Sequence, residues 1–101
     1  MAKPWVITDK AKRNIAQILD NVIEYTSHTE TGTRLYSELV EKFNLIGMLP
    51  KCGKLRADQM STREVFARSY RIVYQEFDDH IKILTVIHSR QLYPPREKNN
   101  I

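Results

Sequence analysis

The sequence predicts an α+β fold in which two helices pack on one face of a small antiparallel β-sheet. Two observations predict it. Up to Pro50, apolar residues recur at helical spacing in two consecutive stretches. Beyond Pro50 the pattern becomes strand-like, most clearly in residues 70–87, where aromatic and β-branched residues dominate. Helices that precede the strands along the chain are typical of a sheet covered on one face and open to partners on the other.

The helical half begins with an apolar segment, Trp5 to Ile7, which predicts an edge or starting strand. Thr8 and Asp9 follow as residues that cap a helix. A first helix of about four turns then carries an apolar face of Ala11, Ile15, Ile18, Leu19, Val22 and Ile23.

A second helix follows after residues 28–32, which are interpreted as the connection. Its apolar face consists of Leu35, Leu39, Phe43 and Ile46. Gly47 and Pro50 end it. Two helices of similar length with a short connection predict an antiparallel helical hairpin.

The strand half contains two or three predicted antiparallel strands. Residues 55–60 and 64–67 are candidates for a first strand pair or for a strand with a loop, and residues 70–74 and 81–87 form a hairpin around Asp78, Asp79 and His80. Strict alternation places Lys82, Leu84, Val86, His88 and Arg90 on one face, and Ile81, Ile83, Thr85 and Ile87 on the other. His88 and Arg90 are therefore expected to lie together where the last strand leaves the core. We predict a single domain over residues 1–95 and a flexible tail over 96–101.

The composition limits the protein to one small core. The chain has 101 residues, of which 42% are hydrophobic. Cys52 is the single cysteine and the three histidines are scattered, so we expect no internal disulfide, no metal site and no cofactor. There is no apolar run of about 18 residues and no signal-peptide pattern, so we expect a cytoplasmic protein that does not bind membranes.

Positive charge is concentrated in the second half of the chain. Residues 1–50 carry six Lys/Arg and six Asp/Glu, whereas residues 51–101 carry ten and six, which accounts for the formal net charge of +4. A basic face attracts polyanions or an acidic protein partner, although a merely solvated basic surface is an equally ordinary explanation.

The sequence contains no nucleophile motif, phosphate-binding loop or paired cysteines. What it offers is a set of cationic and acid–base groups: Lys51, Lys54, Arg56, Arg71, His88, Arg90 and Tyr93. Metal-independent RNA cleavage needs a base, an acid and cations around the phosphorane, and this set can supply all three. Structural roles compete with this interpretation, because a histidine at a strand end is more often a surface residue, and loop lysines are usually solvated.

Taken together, these patterns resemble the RelE/ParE superfamily of bacterial toxin-antitoxin toxins. The resemblance rests on Trp5 with the first helix, the hairpin ending in Leu49-Pro50-x-x-Gly53, residues 70–74 (Tyr-Arg-Ile-Val-Tyr), and Val86-Ile-His88-x-Arg90. The last segment is most similar to the ParE branch, except that the arginine stands two residues after His88.

The resemblance implies a microbial-ribonuclease-like fold and a toxin that a cognate antitoxin neutralises. ParE-branch members poison DNA gyrase, and RelE-branch members cleave messenger RNA on the ribosome. For a RelE-type activity it implies the catalytic candidates Arg90, Tyr93, His88 and Lys54. For target or antitoxin binding it implies Arg71, Arg90, Lys51, Lys54 and Tyr93.

Three hypotheses follow from the resemblance. The first is a gyrase inhibitor that blocks replication and stabilises a plasmid or prophage. The second is a ribosome-dependent, metal-independent endoribonuclease. The third is a degenerate member that only pairs with its antitoxin and helps to repress their operon, contacting operator DNA through the antitoxin alone.

Overall fold

A computed structural model of the protein describes residues 2–57 and 61–91. Within this part, two helices pack on one face of a five-stranded sheet. The elements are β1 (Trp5–Ile7), α1 (Asp9–Thr26), α2 (Thr29–Met48), β2 (Lys54–Leu55), β3 (Arg63–Ala67), β4 (Tyr70–Glu76) and β5 (Ile81–His88). The predicted α+β class and helical hairpin are confirmed.

The sheet is mixed, with the strand order β1-β5-β4-β3-β2. β1 pairs with β5 in parallel, and the other neighbouring strands pair antiparallel. Four strands therefore follow the helices, where two or three were predicted. The additional one is the two-residue β2, because only Lys54 and Leu55 of this region pair in a ladder. Residues 58–60 of the predicted strand 55–60 lie outside the described part.

The connection predicted over residues 28–32 is wrong, because α2 already begins at Thr29. Only Ser27 and His28 join the helices, and Ser27 ends α1 with a left-handed φ of 60°. Gly32, which indicated a loop in the sequence, is buried within α2. A Cβ at Gly32 would lie 2.7 Å from the Cγ1 atom of Ile23, so the glycine permits close packing of the two helices.

The core lies between the helices and the sheet. Its cluster of buried residues comprises Ala11, Ile15, Leu39, Phe43, Ile46, Ala67, Ile72, Tyr74, Ile81, Ile83 and Val86. The apolar faces predicted for both helices thus point inward. The N-terminal segment closes one end of the core, where the Lys3 N–H donates to the Gly47 carbonyl at 2.8 Å and Trp5 packs against Phe43.

Strict alternation along β5 fails at Leu84. The cross-strand pairing passes from Val73–Thr85 to Tyr74–Ile83, so that Leu84 has no partner in the register. One extra residue in a strand moves every later side chain to the other face. Val86 consequently joins Ile81 and Ile83 in the core, and the prediction that it shares a face with Lys82 and Leu84 is wrong.

Beyond the end of β1, side chains provide the hydrogen-bond partners along the edge of β5. The Thr8 hydroxyl donates to the Leu84 carbonyl at 2.9 Å. Six residues further along the chain, on α1, the Asn14 Oδ1 atom accepts hydrogen bonds from the Thr85 hydroxyl and from the Val86 N–H. These contacts fix α1 along the edge strand and satisfy polar groups that would otherwise be buried without partners.

No helix in residues 2–57 and 61–91 combines the length and apolar character needed to cross a membrane. The single-domain boundary at residue 95 stays a prediction, and the predicted tail 96–101 lies outside the described residues.

Candidate functional site on the helix-free sheet face

The face of the sheet opposite the helices carries a group of charged side chains. Val65 and Ala67 of β3 pack with the core, so the alternating residues Glu64 and Phe66 belong to the other face. Cross-strand pairing adds Lys54 beside Glu64 and Arg71 beside Phe66. We call this surface, formed by Lys54, Arg56, Glu64, Phe66 and Arg71, the helix-free face.

Glu64 lies between two arginines on this face. Its Oε2 atom is 3.5 Å from Nε of Arg56 and 3.6 Å from Nε of Arg71. All three side chains are mostly buried, with 13 to 16% of each side chain exposed. Salt screens charge pairs that are shielded from water less than it screens exposed ones. The glutamate therefore forms an ion pair with each of the two guanidinium groups.

Arg71 is held from two further sides. Its Nη2 atom donates to the Ser89 carbonyl, and its guanidinium carbon lies 5.9 Å from the centre of the Phe66 ring. The Phe66 side chain is half-exposed. A planar cation beside an exposed aromatic ring is suited to bidentate binding of a carboxylate or a phosphate.

The helix-free face is basic as a whole. Lys54, Arg56 and Arg71 contribute three positive charges and Glu64 one negative charge, which leaves a local excess of two. An anionic group that approached the arginines would compete with Glu64 for them. The arrangement can therefore bind an acidic or phosphorylated partner, at the cost of part of the Glu64 interaction.

Lys51 belongs to a different region, the loop after α2. The Tyr74 hydroxyl holds this loop by donating to the Pro50 carbonyl at 2.7 Å and accepting from the Gly53 N–H at 2.9 Å. Burial raises the pKa of Tyr74 from 10.0 to about 12. Lys51 itself is exposed and lies 3.3 Å from Glu76. Hydrogen bonding from Lys3, the closer partner at 2.7 Å, lowers the pKa of Glu76.

His88 and Arg90 lie close together where β5 ends, at the opposite end of the sheet from Lys51. The Arg90 N–H donates to Nδ1 of His88 at 3.2 Å, and both residues are exposed. His88 pairs with Tyr70, whose ring meets the imidazole edge-on at a centroid distance of 6.0 Å. Because Tyr70 packs against the core cluster, His88 stands on the helix side of the sheet.

The structure thus divides the predicted site residues among three places. Arg71 is one residue from Tyr70 along β4, so Arg71 and His88 belong to opposite faces. Lys54 lies on β2, three strand spacings or about 14 Å from β5. Lys51 neighbours Glu76, which is six positions or roughly 20 Å along β4 from Tyr70. Tyr93 lies outside the described residues.

The sequence reasoning passed over Glu64 and Phe66. Their signal was the alternation in residues 64–67, where two core residues are interleaved with one acidic and one aromatic residue. Within residues 2–57 and 61–91, no group of three or more histidine, cysteine, aspartate or glutamate side chains is placed to hold a metal ion.

This architecture defines the class of protein. The chain is similar in fold to the chromosomal ParDE toxin-antitoxin system from P. aeruginosa, with a TM-score of 0.72 and 16% identity over 86% of this chain and 96% of that one. It is also similar to the toxin-antitoxin complex RelBE2 from Mycobacterium tuberculosis, with a TM-score of 0.60 and 18% identity over 87% and 99% of the two chains. The fold is that of RelE/ParE toxins.

The family follows from the sequence match. The family model described as the ParE toxin of the type II toxin-antitoxin system, parDE, matches residues 6–93. The chain belongs to this family, which confirms the predicted RelE/ParE relationship and its ParE branch. None of the curated protein sequences is significantly similar to this chain.

Proposed function

We propose that this toxin inhibits DNA gyrase and so blocks replication in the cytoplasm. The observation that carries the proposal is the match of residues 6–93 to the ParE toxin family. The separation of the basic residues into three regions of the molecule supports this proposal. A gyrase inhibitor does not need catalytic side chains that meet in one place. Arg71 and His88, two of the groups considered for RNA cleavage, belong to opposite faces of the sheet.

We further propose that a cognate antitoxin neutralises the toxin through the helix-free face. Lys54, Arg56 and Arg71 provide positive charge there, and Phe66 provides apolar surface. A disordered acidic segment with apolar residues complements both features and folds as it binds. Operator DNA would be contacted through the antitoxin alone.

A gyrase assay tests the target. Purified toxin is added to gyrase and relaxed plasmid, and both supercoiling and the yield of cleaved DNA are measured. The expected result is reduced supercoiling with accumulation of cleaved complex, reversed by an equimolar amount of antitoxin. A reaction without gyrase controls for a contaminating nuclease. Unchanged supercoiling and cleavage at micromolar excess of the toxin would exclude gyrase as the target.

Ribosome-dependent RNA cleavage is the second candidate, because Lys54, Arg56 and Arg71 form a basic group that can hold a phosphodiester. Primer extension on translated messages measures it. The ribonuclease hypothesis predicts cuts in the ribosomal A site that Arg71→Ala abolishes. Absence of such cuts would exclude it. Normal growth of cells that express the toxin without antitoxin would instead favour a member that only binds its antitoxin.

A further inference from the structure

A pocket lies on the helix side of the sheet, opposite the helix-free face. It is formed between α1 and the ends of β4 and β5, and its volume is about 310 Å³. The carboxamides of Asn14, Gln17 and Asn21 line one wall, and Tyr70 and His88 line another. Lysine, arginine, aspartate and glutamate are absent from its described lining, so it differs in chemistry from the helix-free face.

The hydrogen bonds of Asn14 determine which way its amide is oriented. Its Oδ1 atom accepts from the Val86 N–H, a group that can only donate, and from the Thr85 hydroxyl. The oxygen is thereby occupied on the β5 side, and the two N–H groups of Nδ2 are left for another acceptor. Among residues 2–57 and 61–91, no hydrogen bond of the structure uses them.

Gln17 and Asn21 are linked to each other by one hydrogen bond between exposed side chains. Nε2 of Gln17 donates to Oδ1 of Asn21 at 3.0 Å, which leaves the Nδ2 donors of Asn21 without an acceptor in the described part of the chain. His88 adds another donor. Its Nδ1 atom accepts from the Arg90 N–H, so the neutral imidazole carries its proton on Nε2. The wall groups thus present several uncharged donors, together with the Oε1 acceptor of Gln17.

The rings of Tyr70 and His88 provide flat surfaces in the pocket on which a ligand can stack. The rings of Tyr70 and His88 are nearly perpendicular, with an interplanar angle of 76°. A flat ligand can stack on one ring while it meets the edge of the other. Ile18 and Val86 supply apolar surface beneath them. The pocket therefore combines stacking surface with amide and imidazole donors in its lining, which can meet the edge of a planar acceptor.

We propose that this pocket binds a nucleobase with adjacent acceptors on its edge, and guanine in particular. Guanine presents O6 and N7 side by side, whereas adenine places an amino donor next to N7 and would oppose the carboxamide donors. An isolated phosphate lacks a cationic partner within the lining. The proposal is independent of gyrase as target, since the ligand is recognised by this chain alone.

The test is an NMR titration of the full-length protein with guanosine 5′-monophosphate, adenosine 5′-monophosphate and inorganic phosphate. The two nucleotides carry the same charge, so a difference between them reports on the base. We expect saturable shifts of the Asn14, Gln17 and Asn21 side-chain amides and of the His88 ring with the guanine nucleotide. Binding of the adenine nucleotide should be about tenfold weaker, as expected for loss of a matched hydrogen-bond pair.

Two variants of equal charge separate the pocket from the rest of α1. The double substitution Gln17→Ala with Asn21→Ala should weaken guanine nucleotide binding roughly tenfold, because donors are lost from the wall. Lys12→Ala with Asp20→Ala is the control, since these residues are exposed on the same helix, lie outside the pocket lining and leave the net charge unchanged. Circular dichroism and thermal unfolding establish that both variants are folded.

Three results would overturn the proposal. The first is absence of saturable shifts with either nucleotide at millimolar concentration. The second is equal shifts with inorganic phosphate, or shifts centred on Lys54 and Arg71, which would assign binding to the basic face. The third is a response of the pocket amides to a neutral blocked tripeptide but not to guanosine 5′-monophosphate, which would identify a peptide-binding groove.

Discussion

The hydroxyl oxygen of Tyr74 lies 2.9 Å from the backbone nitrogen of Gly53 and joins a central strand of the sheet to the loop after α2. Tyr74 is fully buried, and a Cβ at position 53 would lie 2.6 Å from its hydroxyl oxygen. The glycine therefore gives the phenol access to the backbone. Since the same hydroxyl donates to Pro50, a single side chain holds both ends of the loop that carries Lys51 and Cys52.

Removing this hydroxyl should destabilise the protein. Tyr74→Phe keeps the ring in the core but leaves the Gly53 N–H and the Pro50 carbonyl without their partner. We expect a loss of about 1–3 kcal/mol in the free energy of unfolding, measured by urea denaturation. Tyr36→Phe is the matched control, because the Tyr36 side chain is exposed on α2. Equal stability of both variants would show that the loop does not depend on the phenol.

The raised pKa of Tyr74 predicts that the free energy of unfolding changes at alkaline pH. The pKa of Tyr74 is about 12 in the folded protein and near 10 in the unfolded chain. The unfolded state therefore loses the phenolic proton first, so the contribution is complete below pH 10 and is lost between about pH 10 and 12. The stability difference between wild type and Tyr74→Phe should shrink by about 2 kcal/mol over this interval. A constant difference would argue against the raised pKa.

Asn14 should be required for stability although it is a polar residue on a helix. Asn14→Ala removes the acceptor for the Val86 N–H and the Thr85 hydroxyl at the edge of β5. The expected loss is about 1–3 kcal/mol in the free energy of unfolding. Asn21→Ala, on an exposed position of the same helix, should change it by less than about 0.5 kcal/mol. Similar effects of the two substitutions would contradict the edge role of Asn14.

Glu64 should limit the affinity of the helix-free face for anions. Glu64→Gln removes the negative charge between Arg56 and Arg71, so the variant is expected to elute from immobilised heparin at higher salt than wild type. Arg71→Glu should elute earlier and bind the antitoxin less tightly at low salt.

Arg34→Glu provides the control for Arg71→Glu. Arg34 is exposed on α2, away from the helix-free face, and the two substitutions change the net charge by the same amount. Earlier elution of Arg34→Glu by the same amount would show that net charge alone determines binding. If Glu64→Gln did not change elution, the arginines would not be available to ligands on this face.

The sequence predicted the elements better than their relative placement. The apolar spacing identified both helices, and alternation identified the hairpin of β4 and β5. Alternation could not show that Leu84 has no partner in the register. A bulge depends on how β5 pairs with β4, and the residue composition of β5 does not indicate it. Gly32 was misinterpreted because a glycine favours a loop locally, and only the approach of Ile23 shows its packing role.

The candidate site illustrates the same limit. The sequence identified the cationic residues, and alternation along the last strand predicted that His88 and Arg90 lie together, where the Arg90 N–H donates to the His88 ring. It could not show that Arg71 and His88 belong to opposite faces, because their cross-strand offset of one residue is a property of the register.

The pairing of β1 with β5 determines when the five-stranded sheet of the toxin can form during synthesis. Thr8 and Leu84, which meet just beyond the end of β1, are 76 positions apart in the chain. During synthesis, β1 therefore cannot pair until β5 has been made. The ribosome must have translated nearly all of the described chain before this part of the sheet can form. Contacts of such long sequence separation slow folding. Every nascent or truncated chain that stops before residue 81 lacks the partner of Trp5 and leaves the sheet without its parallel edge.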